Sequence, residues 1–175
     1  SERISSIINK IIPNKKNDKS SLIINVQGDL PYLDYGIIED MIELFDKLKH
    51  PEVLTPIYNL EKKEIFNPNI VKVILNKKDE AILFSRSAIP FIRDIKKEEW
   101  HIHNNYWGHV GIYGFRGDIL RQWKSFEFSN LEKLEKLEQL RLIDAGVPIR
   151  CFKVANPPIS VDTYEDLKLA RKTVE

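Results

Sequence analysis

Residues Ser21 to Leu48 constrain the fold more than any other stretch of this chain. Ser21–Val26 is a compact apolar run rich in Ile and Val, the composition of a short buried strand. It runs into Gln27-Gly28-Asp29-Leu30-Pro31, a polar break containing Gly and Pro. Tyr35–Leu48 then carries apolar residues at Ile37, Ile38, Met41, Leu44, Phe45 and Leu48, the spacing of an amphipathic helix, with Asp34 as its expected N-cap. Strand, break and helix form the βα unit of an α/β sheet. Ligands of such sheets gather at the carboxyl ends of strands, and Asp29 sits at such an end.

The remaining segments extend this reading. Glu2–Ile12 has helix spacing through Ile4, Ile7, Ile8, Ile11 and Ile12, and Asn14–Ser21 is a polar loop. Val53–Tyr58, Val71–Leu75, Ala81–Ser85, Trp107–Phe115 and Ile149–Val154 read as strands, with residues 76–80 as a hairpin turn. Gly108, Gly111 and Gly114 punctuate the fourth of these, which suggests close backbone approach or a bulge. Ser129 and Glu132 fit a capping box. They open a helix whose Leu131, Leu134, Leu137 and Leu140 line one side, with Gly146 as its stop. After Pro157-Pro158, Ile159–Val161 reads as a brief strand, and Asp162 opens a last helix. The expected whole is a single α/β domain over residues 1–175.

Composition excludes several functions. Lys and Arg number 27 against 26 Asp and Glu, a net charge of +1, so there is no basic footprint for nucleic acid. The lone Cys151 excludes an intrachain disulfide, a four-cysteine zinc site and a CxxC redox pair. The apolar runs fall far short of the roughly 20 residues that span a bilayer, so no membrane association is expected. The chain opens directly into a helix at Ser1-Glu2, which suggests processing or a fragment of something longer.

Several side chains invite chemistry, each beside a plainer reading. Asp29 and Asp162 both end strands and could jointly hold Mg²⁺, which takes one or two protein carboxylates. Equally, Asp29 could make an Asx-turn and Asp162 a helix cap. His101 and His103, on one face of a strand, and His109 suggest a metal only weakly, for want of a spaced further ligand. Arg86 after its strand could take an anion bidentately or form a surface ion pair. Glu138 and Gln139 flank the leucine stripe, where an exposed helix face is the alternative. No GxGxxG, P-loop, GxSxG or HExxH occurs.

Six collinear segments together resemble the 3-deoxy-manno-octulosonate (Kdo) cytidylyltransferases, or CMP-Kdo synthetases. They are Asn25-Val26-Gln27-Gly28-Asp29-Leu30-Pro31, Phe66-Asn67-Pro68-Asn69 with Val71-Lys72-Val73, Phe84-Ser85-Arg86-Ser87 with Ile89-Pro90, His109 through Arg116, Leu137-Glu138-Gln139-Leu140-Arg141, and Ser160-Val161-Asp162-Thr163 with Glu165-Asp166-Leu167. The resemblance implies a nucleotide-diphospho-sugar-transferase-like (Rossmann-like) fold, a mixed sheet flanked by helices. It implies Asp29 and Asp162 as the two Mg²⁺ ligands and Gln27 as a residue beside nucleotide and sugar. Arg86, His109, Tyr113, Glu138 and Gln139 match residues that hold the sugar acid. The glycines around His109 would let backbone approach the ligand, and Glu138-Gln139 would turn a helix side toward sugar hydroxyls.

The implied reaction joins CMP from CTP to Kdo and releases pyrophosphate. It is a direct displacement at the α-phosphorus by the anomeric hydroxyl, in which Mg²⁺ polarises the phosphate oxygens. Arg86 and the polar groups fix the sugar. A cytoplasmic homodimer serving lipopolysaccharide synthesis is implied as well. The family's Gln-Gly-Asp-Glu-Pro stands here with Leu30 in place of Glu. Nothing matches its opening Pro-Ala-Arg…Ser-Thr-Arg…Gly-Lys-Pro-Leu loop, and Ser1-Glu2-Arg3 resembles an internal segment. The chain therefore reads as the C-terminal two-thirds of the family fold, lacking the N-terminal nucleotide-binding segment. A related sugar acid (8-amino-Kdo or an acylneuraminate) and a non-catalytic sugar-acid-binding domain remain the alternatives.

Overall fold

The computed structural model describes residues 1–11, 18–161 and 164–172. In chain order the elements are α1 (Glu2–Ile11), β1 (Leu22–Val26), α2 (Tyr35–Lys47), β2 (Val53–Asn59), β3 (Lys72–Leu75), β4 (Ala81–Ser85), α3 (Trp100–His103), β5 (Trp107–His109), β6 (Ile112–Arg116), α4 (Gly117–Arg121), α5 (Asn130–Glu135), α6 (Leu140–Asp144), β7 (Ile149–Lys153) and α7 (Tyr164–Lys172). The seven strands form one mixed sheet in the order β1-β6-β2-β5-β3-β4, and β7 pairs with β2 on its other side. Among the described residues only β2 and β7 pair in parallel. β1 and β2 both run antiparallel to β6, which lies between them. The βα unit read from the sequence is therefore a crossover whose two strands are split by an inserted third.

Alternation along β2 explains both layers. Val53 and Ile57 enter one core with Phe84, Tyr113, Phe115, Trp123, Leu140, Ile149 and Cys151. Leu54 enters the other with Ile37, Met41, Phe45 and Ile112. Successive strand side chains face opposite ways, so α2 covers one face, while α1, α4 and the chain around α6 cover the other. Asp34 caps α2 as expected, its carboxylate accepting from the Gly36 N–H at 2.9 Å. A third cluster of Leu60, Ile65, Trp100 and Tyr106 sits under the long connections that flank β3 and β4.

Several expectations change. Trp107–Phe115 is two strands, broken at residues 110–111. Gly108 and Gly114 serve packing rather than ligand approach. A Cβ on Gly108 would lie 2.5 Å from Leu60 and 2.6 Å from the Tyr58 ring, and one on Gly114 would lie 2.8 Å from Met41 Sδ. His101 and His103 lie in the short helix α3, not on a strand, because Trp100 anchors that turn in the third cluster. Ile159–Val161 joins no ladder. Its Val161 N–H instead donates to the Asp29 carbonyl at 2.9 Å.

The leucine-striped helix breaks in two. Ser129 does cap it, accepting from the Glu132 N–H at 3.0 Å. The Glu132 carboxylate, however, pairs with the buried Arg141 guanidinium at 2.9 and 2.5 Å instead of reaching back to the cap. Lys136 takes the left-handed conformation (φ 56°) and ends α5. Leu131 and Leu134 are consequently exposed, while Leu137 and Leu140 are buried. Glu138 and Gln139 lie at the break between α5 and α6 rather than on a helix side.

Candidate functional site

A cleft of about 1050 Å³ opens over the carboxyl end of β1 and the break between β5 and β6. Gln27, Asp29, Arg86, His109, Tyr113, Glu138 and Gln139 all line it. Seven of the eight site residues that the resemblance implies thus meet around one space, although they are spread over more than a hundred positions. The eighth, Asp162, lies outside the described residues. Val161, which precedes it, is hydrogen-bonded to Asp29 as described above.

Asp29 stands where β1 gives way to the polar break. Its Oδ2 accepts from Ser160 Oγ at 3.5 Å. Its Oδ1 is buried and has no hydrogen-bond partner among the described residues. A buried carboxylate oxygen without a partner is costly, and a hard cation is the kind of ligand that would satisfy it. The donor set therefore fits a divalent ion bound through Asp29.

Arg86 is held by its surroundings. Its backbone N–H donates to Glu135 Oε2 at 2.9 Å, its Nε to the Glu135 carbonyl at 3.0 Å and its Nη1 to the Pro68 carbonyl at 3.1 Å. Five N–H donors on the guanidinium less two leaves three for an anion in the cleft. Ser85 Oγ donates to the other Glu135 oxygen at 2.6 Å. Below this lies Lys72, fully buried, whose Nζ donates to the Asn67 carbonyl at 2.8 Å and the Ile70 carbonyl at 2.6 Å. Burial, and then the neighbouring Arg86 charge, pull its ammonium down to about 8. It pins the Asn67–Ile70 turn on which Arg86 leans.

On the opposite wall His109 and Tyr113 are polar but uncharged, and Glu138 is the carboxylate beside them. Burial pushes the His109 imidazole down to about 3. Burial, then the Glu138 charge, hold the Tyr113 phenol well above its usual value. Both are neutral across the physiological range. Phe84 and Tyr113 each place a ring 5.1 Å from the imidazole. Gly111 faces Gln27, where a Cβ would come within 3.3 Å of the amide carbon. Glu138 accepts from the Ser1 hydroxyl at 2.6 Å, and Ser1 N lies 3.0 Å from both its oxygens. Gln139 is buried beside it. His101 and His103 are outside this cleft, and no group of three or more metal-ligating side chains occurs among the described residues. Cys151 is buried, its thiol pushed up to about 12 by burial.

The sequence did not point to Thr55, Lys72 or Glu135. Lys72 left a trace, as the one charge in the apolar run Val71–Leu75. Thr55 and Glu135 left none, since Thr is ordinary in a strand and Glu on a helix.

The fold is that of a nucleotidyltransferase. The chain superposes over 99% of its length on a solved structure of CMP:2-keto-3-deoxy-manno-octonic acid synthetase complexed with CTP, with a TM-score of 0.84 and 32% identity, covering 66% of that chain. A family model described as cytidylyltransferase matches residues 1–149, and the chain belongs to that family. It is 36% identical over 173 residues to the 3-deoxy-manno-octulosonate cytidylyltransferase of Thermodesulfovibrio yellowstonii, spanning 98% of this chain and 68% of the relative. It is 37% identical over 175 residues to that of Elusimicrobium minutum, spanning 99% and 71%. The chain thus spans about two thirds of the length of these proteins.

Proposed function

We propose that this chain carries the sugar-acid and metal-binding part of a CMP-Kdo synthetase. The reaction joins CMP from CTP to the anomeric hydroxyl of 3-deoxy-manno-octulosonate. The hydroxyl oxygen attacks the α-phosphorus and loses its proton, the α–β bridging P–O bond breaks, and pyrophosphate leaves. The observation that carries this reading is the convergence of Gln27, Asp29, Arg86, His109, Tyr113, Glu138 and Gln139 on one cleft.

The roles follow from the chemistry of each group. The free N–H donors of Arg86 suit the carboxylate of the sugar acid, as a planar cation suits a planar anion. Neutral His109 and Tyr113, with Gln139 and the Glu138 carboxylate, suit its hydroxyls. Gln27 stands at the mouth, between the sugar side and the end of β1. Asp29, with Asp162 by resemblance, would hold Mg²⁺. A bound ion would supply charge neutralisation on the phosphates and a lowered pKa for the attacking hydroxyl. The reading includes a cytoplasmic protein in lipopolysaccharide synthesis. It also includes a homodimer, for which Phe91 and Ile102, 71% and 70% exposed around Trp100, offer apolar surface. Among the described residues no helix is long and apolar enough to cross a membrane.

The test is pyrophosphate release by the intact protein from CTP with Kdo, 8-amino-Kdo or an acylneuraminate, each with and without Mg²⁺. Release with Kdo and Mg²⁺ above the others supports the proposal. Preference for another acid reassigns the substrate. Sugar-acid binding without any release turns the reading to a non-catalytic binding domain.

A further inference from the structure

Thr55 sits in the middle of β2 with no exposed surface. Its Oγ1 has three polar neighbours: the Ile112 carbonyl at 2.8 Å, the Val110 carbonyl at 3.4 Å and His109 Nε2 at 2.9 Å. A hydroxyl has one proton to give and lone pairs to receive with, and a carbonyl oxygen only accepts. The short contact to Ile112 therefore takes the Thr55 proton, and the long one to Val110 is at most a second branch of it. Toward His109, Thr55 can then act only as acceptor. Nε2 must carry a hydrogen, and the lone pair of the neutral ring lies on Nδ1.

We propose that Thr55 is a positioning residue that locks His109 as the Nε2–H tautomer, so that the cleft is offered a neutral acceptor selecting a ligand hydroxyl. This deepens, and rests on, the sugar-acid reading of the cleft. It divides the ligand between two walls. Arg86 has only donors left and takes the carboxylate. His109, its Nε2 spent inward on Thr55, offers only a lone pair and turns a carboxylate away. Two other features support it. Among the described residues the imidazole makes no ion pair, so nothing favours its charged form. The Phe84 and Tyr113 rings beside it give it an apolar lining.

The experiment is long-range ¹H–¹⁵N correlation on the intact, histidine-labelled protein, with His109 assigned by the loss of its signals in His109→Asn. Expected is a pyrrole-type Nε2 and a pyridine-type Nδ1, unchanged between about pH 5.5 and 8. Thr55→Val should mix the tautomers and weaken Kdo binding about three- to tenfold, the worth of one neutral hydrogen bond. Thr55→Ser should restore both. An Nδ1–H signal in the wild type overturns the proposal. So does a Thr55→Val protein that keeps tautomer and affinity, or a Thr55→Ser protein that recovers neither. If Thr55→Val does not fold, the wild-type spectrum and Thr55→Ser still decide. An Nε2–H tautomer whose signals ignore saturating Kdo overturns the ligand half together with the sugar-acid reading. A Kdo response from an Nδ1–H ring overturns this proposal alone.

Discussion

His109 and Lys72 show how one side chain's surroundings set what the cleft can do. His109 stays neutral in the fold to about pH 3, whereas an unfolded histidine protonates near 6.5. Between those values the unfolded chain binds the extra proton, so stability falls as pH falls. The contribution is complete above 6.5 and is lost progressively toward 3. Urea unfolding at pH 7 and pH 5 should show the wild type losing roughly 1–2 kcal/mol more than His109→Gln on acidification. Lys72 works through the backbone. Lys72→Met removes the donor shared by the Asn67 and Ile70 carbonyls, at a cost of about 1–3 kcal/mol. It also slackens the turn that braces Arg86. Unfolding should reveal the first effect. The second should appear as a raised KM for the sugar acid with KM for CTP unchanged.

The break between α5 and α6 is the element that most shapes the site. Leucines at 131, 134, 137 and 140 read as one helix because every spacing fits one. Tertiary contacts choose otherwise. Glu135 is taken up by Ser85 and Arg86, Glu132 by Arg141, and Lys136 turns left-handed between them. That turn delivers Leu137 to the core and Glu138-Gln139 to the cleft. A β-branched residue tolerates this conformation poorly, and a glycine adopts it freely. Lys136→Val should therefore cost about 1–2 kcal/mol and raise KM for the sugar acid. Lys136→Gly should keep both near wild type. Thermal melts and steady-state kinetics on the pair check it. The periodicity of α2, by contrast, was legible in full, because its buried Ile37, Met41 and Phe45 pack on one face of the sheet with Leu54 and Ile112.

On the scale of the whole molecule, the site exists because the sheet brings distant segments to one rim. β1 supplies Asp29, the end of β4 supplies Arg86, and β5 and β6 supply His109 and Tyr113. The buried Asp29 Oδ1, without a hydrogen-bond partner among the described residues, is the feature with most to gain from an added cation. Asp29→Asn preserves shape and removes charge. Equilibrium Mg²⁺ binding should weaken at least about tenfold, and pyrophosphate release should need correspondingly more Mg²⁺. Stripping the metal with a chelator should silence the wild type and restoring it should revive activity. An unchanged Mg²⁺ titration in Asp29→Asn would remove this residue from the proposed metal site.

By itself the sequence located most of the strands, the capped helix α2 and, through six collinear motifs, seven of the residues that line the cleft. Local spacing and residue chemistry suffice for these, since an apolar run or a polar break carries its meaning within a few positions. Only the tertiary structure decided that β6 splits the β1–β2 crossover, that the leucine stripe breaks at Lys136, and that Lys72, Glu135 and Thr55 stand behind Arg86 and His109. The deciding contacts join positions far apart in the chain, such as Glu135 and Arg86, 49 positions apart, and Thr55 and Ile112, 57 positions apart. A hydroxyl or a carboxylate does not reveal from its own neighbours in sequence which distant carbonyl or ring it will satisfy.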